Sequence, residues 1–228
     1  MPCPFSSKPR WERRKDARPQ ELLAAGLDLF VERGFAATRL EDVAKMAGVS
    51  KGTLYLYFAN KEELFKAVVR ENILPTLGAA EELIASFEGS SADLFRTIIQ
   101  TWWQRVGHTK ASGITKLMVA EAGNFPDVVS FYHDEVILRS DALLTRALQR
   151  GIDSGEFRIS NDVHTIRVLV APMLMLMLWQ HSFELCQNPP INPATYIDRF
   201  IDLCLHGMLT TPGPAPERIL EGKSPAIR

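Results

Sequence analysis

Apolar residues recur three and four positions apart along nearly the whole chain, and runs that alternate strictly with period two are missing. The first pattern marks amphipathic helices and the second would mark strands, so the chain is predicted to be all-α. The repeat breaks at Gly34, Gly48, Asn60, Gly89-Ser90-Ser91, Gly107, residues 123–126, residues 155–161 and residues 188–193. Glycine, asparagine and proline are the residues that end helices, and these breaks delimit about nine of them. Thr38 with Glu41, and Asn60 with Glu63, have the spacing of a capping box, in which each side chain satisfies a free donor at a helix start. Asn192 before Pro193 predicts a cap followed by proline in the first turn, where no donor is lost.

Composition adds few constraints. Hydrophobic residues make up 46% and charged residues 23% of 228, enough for a core without staples. Cys3, Cys186 and Cys204 are too few and too scattered for a disulfide framework or a zinc site, and their odd number suits a reducing compartment. The first residues are charged with no apolar stretch behind them, unlike a secretory leader. The apolar run at residues 168–179 contains Pro172 and is too short to cross a bilayer. The expected location is the cytoplasm. Charge is uneven: residues 1–70 hold 13 Lys/Arg against 9 Asp/Glu, and residues 71–228 hold 13 against 18. A basic third on an acidic remainder fits a chain that meets a polyanion at one end, although a difference of this size also arises by chance.

Residues 39–58, RLEDVAKMAGVSKGTLYLYF, sharpen that picture. A short helix at about residues 40–47 is followed by Gly48, where a tight turn can use a left-handed backbone. Ser50 can cap a second helix at about residues 51–58. Ala44 is small where two helices must cross, and Val43, Val49 and Leu54 can fill the wedge between them. The pattern is that of a DNA-binding helix-turn-helix, whose second helix enters the major groove by its N-terminal part. Lys51 and Lys61 are candidate phosphate contacts, and Arg39 is a further candidate DNA contact. Ser50, Thr53, Tyr55 and Tyr57 offer hydroxyls to phosphates or bases, and Gly52 lets the backbone approach closely. Taken singly, Tyr55 and Tyr57 could equally be packing groups and Lys51 a solvated charge.

From about Arg18 to Val69 the sequence resembles the TetR/AcrR family of bacterial repressors. The likeness rests on LLAAGLDLFVERGF, Thr38, DVAKMAGVSKGTLYLYF and NKEELF. It implies phosphate contacts by Tyr55, Tyr57 and Lys61, base reading by the helix at residues 51–57, and a homodimer on a near-palindromic operator. It further implies a three-helix DNA-binding domain at residues 17–63 and a larger helical ligand-binding and dimerisation domain at residues 64–210. A basic arm (residues 1–16, with Lys8, Arg10, Arg13, Arg14, Lys15 and then Arg18) precedes them, and a Pro-rich tail (residues 211–228) follows. The arm can reach the DNA backbone or minor groove, or stay solvated.

The larger region bears no strong motif, and residues 119–136 loosely resemble the AefR-like branch. Its aromatic and methionine residues permit an apolar pocket. Trp102, Trp103, Met118, Glu121, His133, Met173, Met177 and His181 are its candidate lining, or else core and surface groups. Helix 162–186 is apolar nearly all round and should be covered on several faces. Helix 193–209 carries apolar residues at 196, 197, 200, 201, 204, 205, 208 and 209, a broad stripe. In the resembling family two such helices build a four-helix dimer interface. No basic residue flanks Cys186 or Cys204 to activate a thiolate.

The expected function is a ligand-responsive dimeric repressor. A regulator without a small ligand, acting through a protein partner or as an activator, shares the same motif. An enzyme is disfavoured, because no His/Glu metal spacing, Gly-rich phosphate loop or nucleophile motif occurs. No cofactor and no metal are expected.

Overall fold

The computed structural model describes residues 10–183 and 190–210, with side chains described from residue 19 onward. Cys3, Cys186, the side chains of the basic arm and the residues after 210 lie outside that description.

Among the described residues there are eleven α-helices and no strand: α1 (Arg10–Ala37), α2 (Leu40–Met46), α3 (Lys51–Tyr55), α4 (Lys61–Asn72), α5 (Leu74–Ser86), α6 (Ser91–Trp102), α7 (Ser112–Glu121), α8 (Pro126–Tyr132), α9 (Leu138–Asp153), α10 (Val163–Ser182) and α11 (Pro193–Met208). A π turn at Trp103–Gly107 extends α6, and a second at His133–Ile137 leads α8 into α9. Joined across these turns and across Ile73, between α4 and α5, the elements make the nine rods that the sequence predicts. The break expected near Gly107 falls just after it, where the π turn ends. Two details differ from expectation. α1 starts at Arg10 rather than at residue 17. α3 ends at Tyr55, before Phe58.

Local chemistry accounts for the helix starts. The side chains of Ser50, Asn60, Ser90, Asp162 and Asn192 each accept a hydrogen bond from the backbone N–H three residues on. Each thereby satisfies a donor that the helix leaves free. Thr38 is not such a cap. The residue before α2 is Arg39, which makes no side-chain cap bond. Thr38 is buried instead, and its hydroxyl donates to the carbonyls of Gly34 (2.7 Å) and Leu29 (3.1 Å). The reason is Gly34, which at φ 84° kinks the end of α1 and brings Thr38 back over its last carbonyls.

The core falls into three clusters. The first joins α1–α4 to the inner faces of α7 and α8 through Leu22, Phe30, Phe35, Leu54, Leu64, Phe65, Ile114 and Tyr132. α4 belongs to this cluster from its first turn, so a division between residues 63 and 64 cuts through packed side chains. The second cluster joins α6, α9, α10 and α11, and the third joins α5, α6 and α9. An isolated bridge between Phe157 and Leu209 ties the end of α11 to the loop before α10.

α10 is long and apolar enough to cross a membrane by length and composition alone. Ile166, Leu169, Met173, Leu176 and Met177 are nevertheless buried within the protein's own second cluster.

Candidate nucleic-acid interface and cavity

The helix-turn-helix is built as its spacing demands. Val43, Ala44 and Leu54 are buried between α2 and α3. Gly48 takes φ 66° in the turn, a conformation that a side chain would strain. The far side of α3 is open: Ser50, Lys51, Gly52 and Tyr55 are exposed, and Thr53 and Tyr57 are half-buried. Arg39 is exposed at the start of α2.

Several of these groups already hold partners. The Ser50 and Thr53 hydroxyls lie 2.8 Å apart and hydrogen-bond each other. Lys51 forms an ion pair with Glu41 and lies over the Tyr55 ring. That pairing raises the ammonium's pKa and lowers the carboxyl's. Lys61 turns inward. Its Nζ donates to the carbonyls of Phe35 (2.7 Å) and Ala36 (3.1 Å) and sits 4.6 Å from the Phe35 ring centroid. Burial lowers its pKa, against the pull of Glu62 and Glu121.

Behind this head lies a cavity of about 380 Å³. It sits where the three core clusters meet and takes Ile73 and Met118 from the first, Met173 and Met177 from the second, and Leu77 and Leu143 from the third. Both π turns contribute to its wall, through Val106 and through Val136 and Ile137. Such turns insert an extra residue into a helix and recur at functional sites.

Two of the wall helices also touch the head. α7 faces the cavity with Thr115, Met118 and Val119. It reaches α1 through Lys110 just before it, paired with Asp28 (2.6 Å), and through Glu121, which accepts from the Ala36 N–H (3.4 Å). α8 faces the cavity with Val129 and Tyr132. Its Phe131 lies under Lys66 and Arg70 of α4, and Phe125 before it packs on Phe35 with ring centroids 4.7 Å apart.

The family model for bacterial regulatory proteins of the tetR family matches residues 22–68. Residues 22–68 are a TetR-type DNA-binding domain, and the chain is a DNA-binding transcriptional regulator. The fatty acid metabolism regulator protein of Bacillus subtilis is 25% identical over 158 residues, covering 68% of this chain and 80% of that one. The transcriptional repressor KstR2 of Rhodococcus jostii is 29% identical over 150 residues, covering 65% and 72%. The fold of this regulator matches the structure of FadR from Bacillus subtilis in complex with stearoyl-CoA, with a TM-score of 0.68, 19% identity, and 82% of this chain and 98% of that chain covered.

The regulator's cavity admits only half of the residues expected to line it. Trp102, Met118, Met173 and Met177 are in its wall, and Trp103, Glu121, His133 and His181 are not. Trp103 is buried in the second cluster, over Gly107. Glu121 braces the end of α1. His133 is on the outer side of its π turn beside Asp134. His181 ties α10 to α7: its Nε2 is 2.7 Å from the Ser112 hydroxyl, and its carbonyl accepts from Lys116. Conversely, sequence reasoning passed over Leu56, 83% exposed just after α3, and Met46, 48% exposed at the end of α2. An apolar residue beyond the helical stripe that Leu54 defines was the available signal.

Of the α11 stripe, Ile197, Phe200, Ile201, Leu205 and Met208 are buried in the protein's own core, and the large apolar residue exposed on α11 is Leu203. α10 leaves Val168, Ala171 and Met175 exposed, spaced along one face. Burial pushes the Cys204 thiol up to about 11, which suppresses the thiolate.

Proposed function

We propose that the protein is a homodimeric repressor, released from its operator by a small, largely apolar ligand held in the cavity. The observation that carries this reading is the double duty of α7 and α8. Each forms cavity wall on one face and grips α1 or α4 on another, so a filled cavity and an empty one favour different placements of the head. A ligand that fits one placement better shifts the population toward it. A regulator without a small ligand has no need of such a hollow, and the stearoyl-CoA held by the Bacillus subtilis FadR structure supports the same choice.

On DNA, α3 enters the major groove and Arg39, Lys51, Tyr55 and Tyr57 meet phosphates, while Gly52 and Thr53 lie nearest the bases. Ser50 serves first as the helix cap. Leu56 joins the proposed contacts, since apolar side chains read thymine methyl groups. Lys61 acts through its grip on α1, and a phosphate contact by it requires giving up the two carbonyls. The second subunit docks on the exposed α10 face with Val168 and Met175 and on α11 with Leu203, in a two-fold arrangement that matches a near-palindromic operator.

The test is a gel shift with DNA from the protein's own upstream region. A salt-sensitive, sequence-specific shift is expected, weakened by small apolar compounds. Its failure with all flanking DNA sinks the reading. Light scattering checks the dimer: Met175→Arg should halve the mass of the full-length protein, and an unchanged mass removes α10 from the interface.

A further inference from the structure

Granting the effector cavity proposed above, its polar groups constrain what fills it. Nearly all of the wall is hydrocarbon. Among the described residues the charged groups in it are Asp141 and Arg167, and these two bond each other in a fork at 2.7 and 2.9 Å. The wall therefore presents no uncommitted cation to an anionic group.

Hydroxyls are present, and they are not all used. Tyr132 is buried, and its hydroxyl lies 3.0 Å from that of Thr115. Two hydroxyls bring two hydrogens, and the bond between them uses one. Burial pushes the Tyr132 phenol up, which keeps it protonated and able to donate. Thr76 adds a third. Four polar residues are buried among the described residues: Thr38, Thr76, Ser91 and Ser112. Thr38, Ser91 and Ser112 hydrogen-bond through their hydroxyls. The Thr76 hydroxyl has no such bond to protein, and Thr76 is in the cavity wall. Its oxygen is not sealed off, since among the described residues the buried side-chain polar atom without a partner is Asn161 Oδ1; the Thr76 hydroxyl is accessible and free to bond a molecule in the cavity. Thr76, Thr115 and Tyr132 stand on α5, α7 and α8, the wall elements next to the head. Leu169, Met173 and Met177 of α10 form a wall without a hydroxyl.

We propose that the effector is an uncharged, mainly hydrocarbon molecule with one oxygen group, a hydroxyl, ketone or ester, seated at Thr76, Thr115 and Tyr132 with its hydrocarbon toward α10. A carboxylate of the same length would be desolvated there without a cation, the costliest kind of burial. This orientation puts the ligand's one directional contact beside Ile73, where α4 leaves the head for α5.

The test is calorimetric titration of the full-length protein at pH 8 with decan-1-ol, decan-2-one and decanoate. The alcohol and the ketone should bind at least about tenfold more tightly than the carboxylate, and Thr76→Val and Tyr132→Phe should each weaken decan-1-ol by about three- to tenfold. Both substitutions nearly conserve volume, and circular dichroism verifies that each variant is folded. Decanoate binding as tightly as the alcohol overturns the uncharged class and leaves the effector cavity standing. Tight neutral binding that neither variant weakens overturns the seat of the oxygen. Binding by none of the three overturns the effector reading, and this inference with it.

Discussion

The head and the body of this regulator bury their apolar residues in opposite ways. In the head, Phe30, Phe35 and Phe65 pack ring on ring, with centroids 5.2 to 5.7 Å apart, and Phe30, Phe35, Leu54, Leu64 and Phe65 are essentially sealed from solvent. Behind it, the edge of the head's cluster and the two clusters of the body meet without closing and leave about 380 Å³ between them. A close-packed element has few alternative arrangements and moves as a unit. A hollow one can exist filled or empty. On the function proposed above, this difference suits the body to sensing and the head to transmission.

The largest test is to remove three heavy atoms from each. Leu64→Ala should cost about 4–5 kcal/mol, because a sealed site cannot collapse around the void, whereas Met173→Ala, beside an existing hollow, should cost about 2 kcal/mol. Urea unfolding measures both. Equal costs would mean that the hollow is no looser than the head, and the comparison would break.

The joint between the two is next. Gly113 of α7 faces α1 so closely that a Cβ there would come within 2.5 Å of a Val31 methyl. Gly113→Val should destabilise by about 1–3 kcal/mol through overpacking. It should also weaken operator binding more than the stability loss explains, since α1 is pushed from its seat. Fluorescence anisotropy on operator DNA, at a temperature where the variant is folded, checks this. Unchanged affinity would show that the head tolerates a displaced α7.

The same contrast explains what the sequence made readable. The helix-turn-helix is specified by neighbours in sequence, with Ala44, Gly48, Val49, Ser50 and Leu54 each answering a local demand, so its spacing alone reveals it. The cavity draws on residues from Ile73 to Met177, and no local pattern encodes which face of each helix turns inward. Trp102 and Trp103 are adjacent, roughly 100° apart around a helix; one lines the hollow and the other fills the second cluster. Glu121 and His181 have chemistry suited to a ligand, but long-range packing commits them to bracing α1 and α7. Thr38 has the spacing of a cap, and the kink at Gly34, a three-dimensional event, redirects its hydroxyl. The breadth of the α11 stripe reflects burial within one subunit, which a sequence cannot separate from burial between two.

Ionisable groups that set the body's stability should lie at its outer edge rather than in the hollow. Glu156 accepts hydrogen bonds from the Ser91 N–H (2.8 Å), the Ser91 hydroxyl (2.8 Å) and the Ser154 hydroxyl (3.0 Å), and so holds the start of α6. Burial pushes its carboxyl up, but these bonds outweigh it and hold the pKa below the ordinary value. A carboxyl lowered by folding contributes stability that is present above its unfolded pKa and lost as pH falls through the folded one. Glu156→Gln should therefore cost about 1 kcal/mol at pH 7, a helix-cap magnitude, and progressively less below about pH 4.3. Parallel denaturation at pH 7 and pH 3.5 measures the difference. A cost that persists undiminished at pH 3.5 would assign the effect to shape rather than charge.

The smallest effect concerns the head's outer face, where solid packing leaves only side chains to adjust. Lys51 is held by Glu41 in the free protein, and both side chains are about half exposed. An exposed pair of this kind adds little to stability, so Glu41→Gln should leave the unfolding midpoint in place. It should nevertheless strengthen operator binding by about two- to threefold at low salt, because Lys51 no longer leaves a partner to reach a phosphate and a nearby negative charge is gone. Lys51→Gln should instead weaken binding to all sequences alike and reduce the slope of log affinity against log salt by about one. The two substitutions thus move affinity in opposite directions from one ion pair. If Glu41→Gln weakens binding, Glu41 is positioning Lys51 for the DNA rather than restraining it. The reading face would then be as preorganised as the aromatic core beneath it.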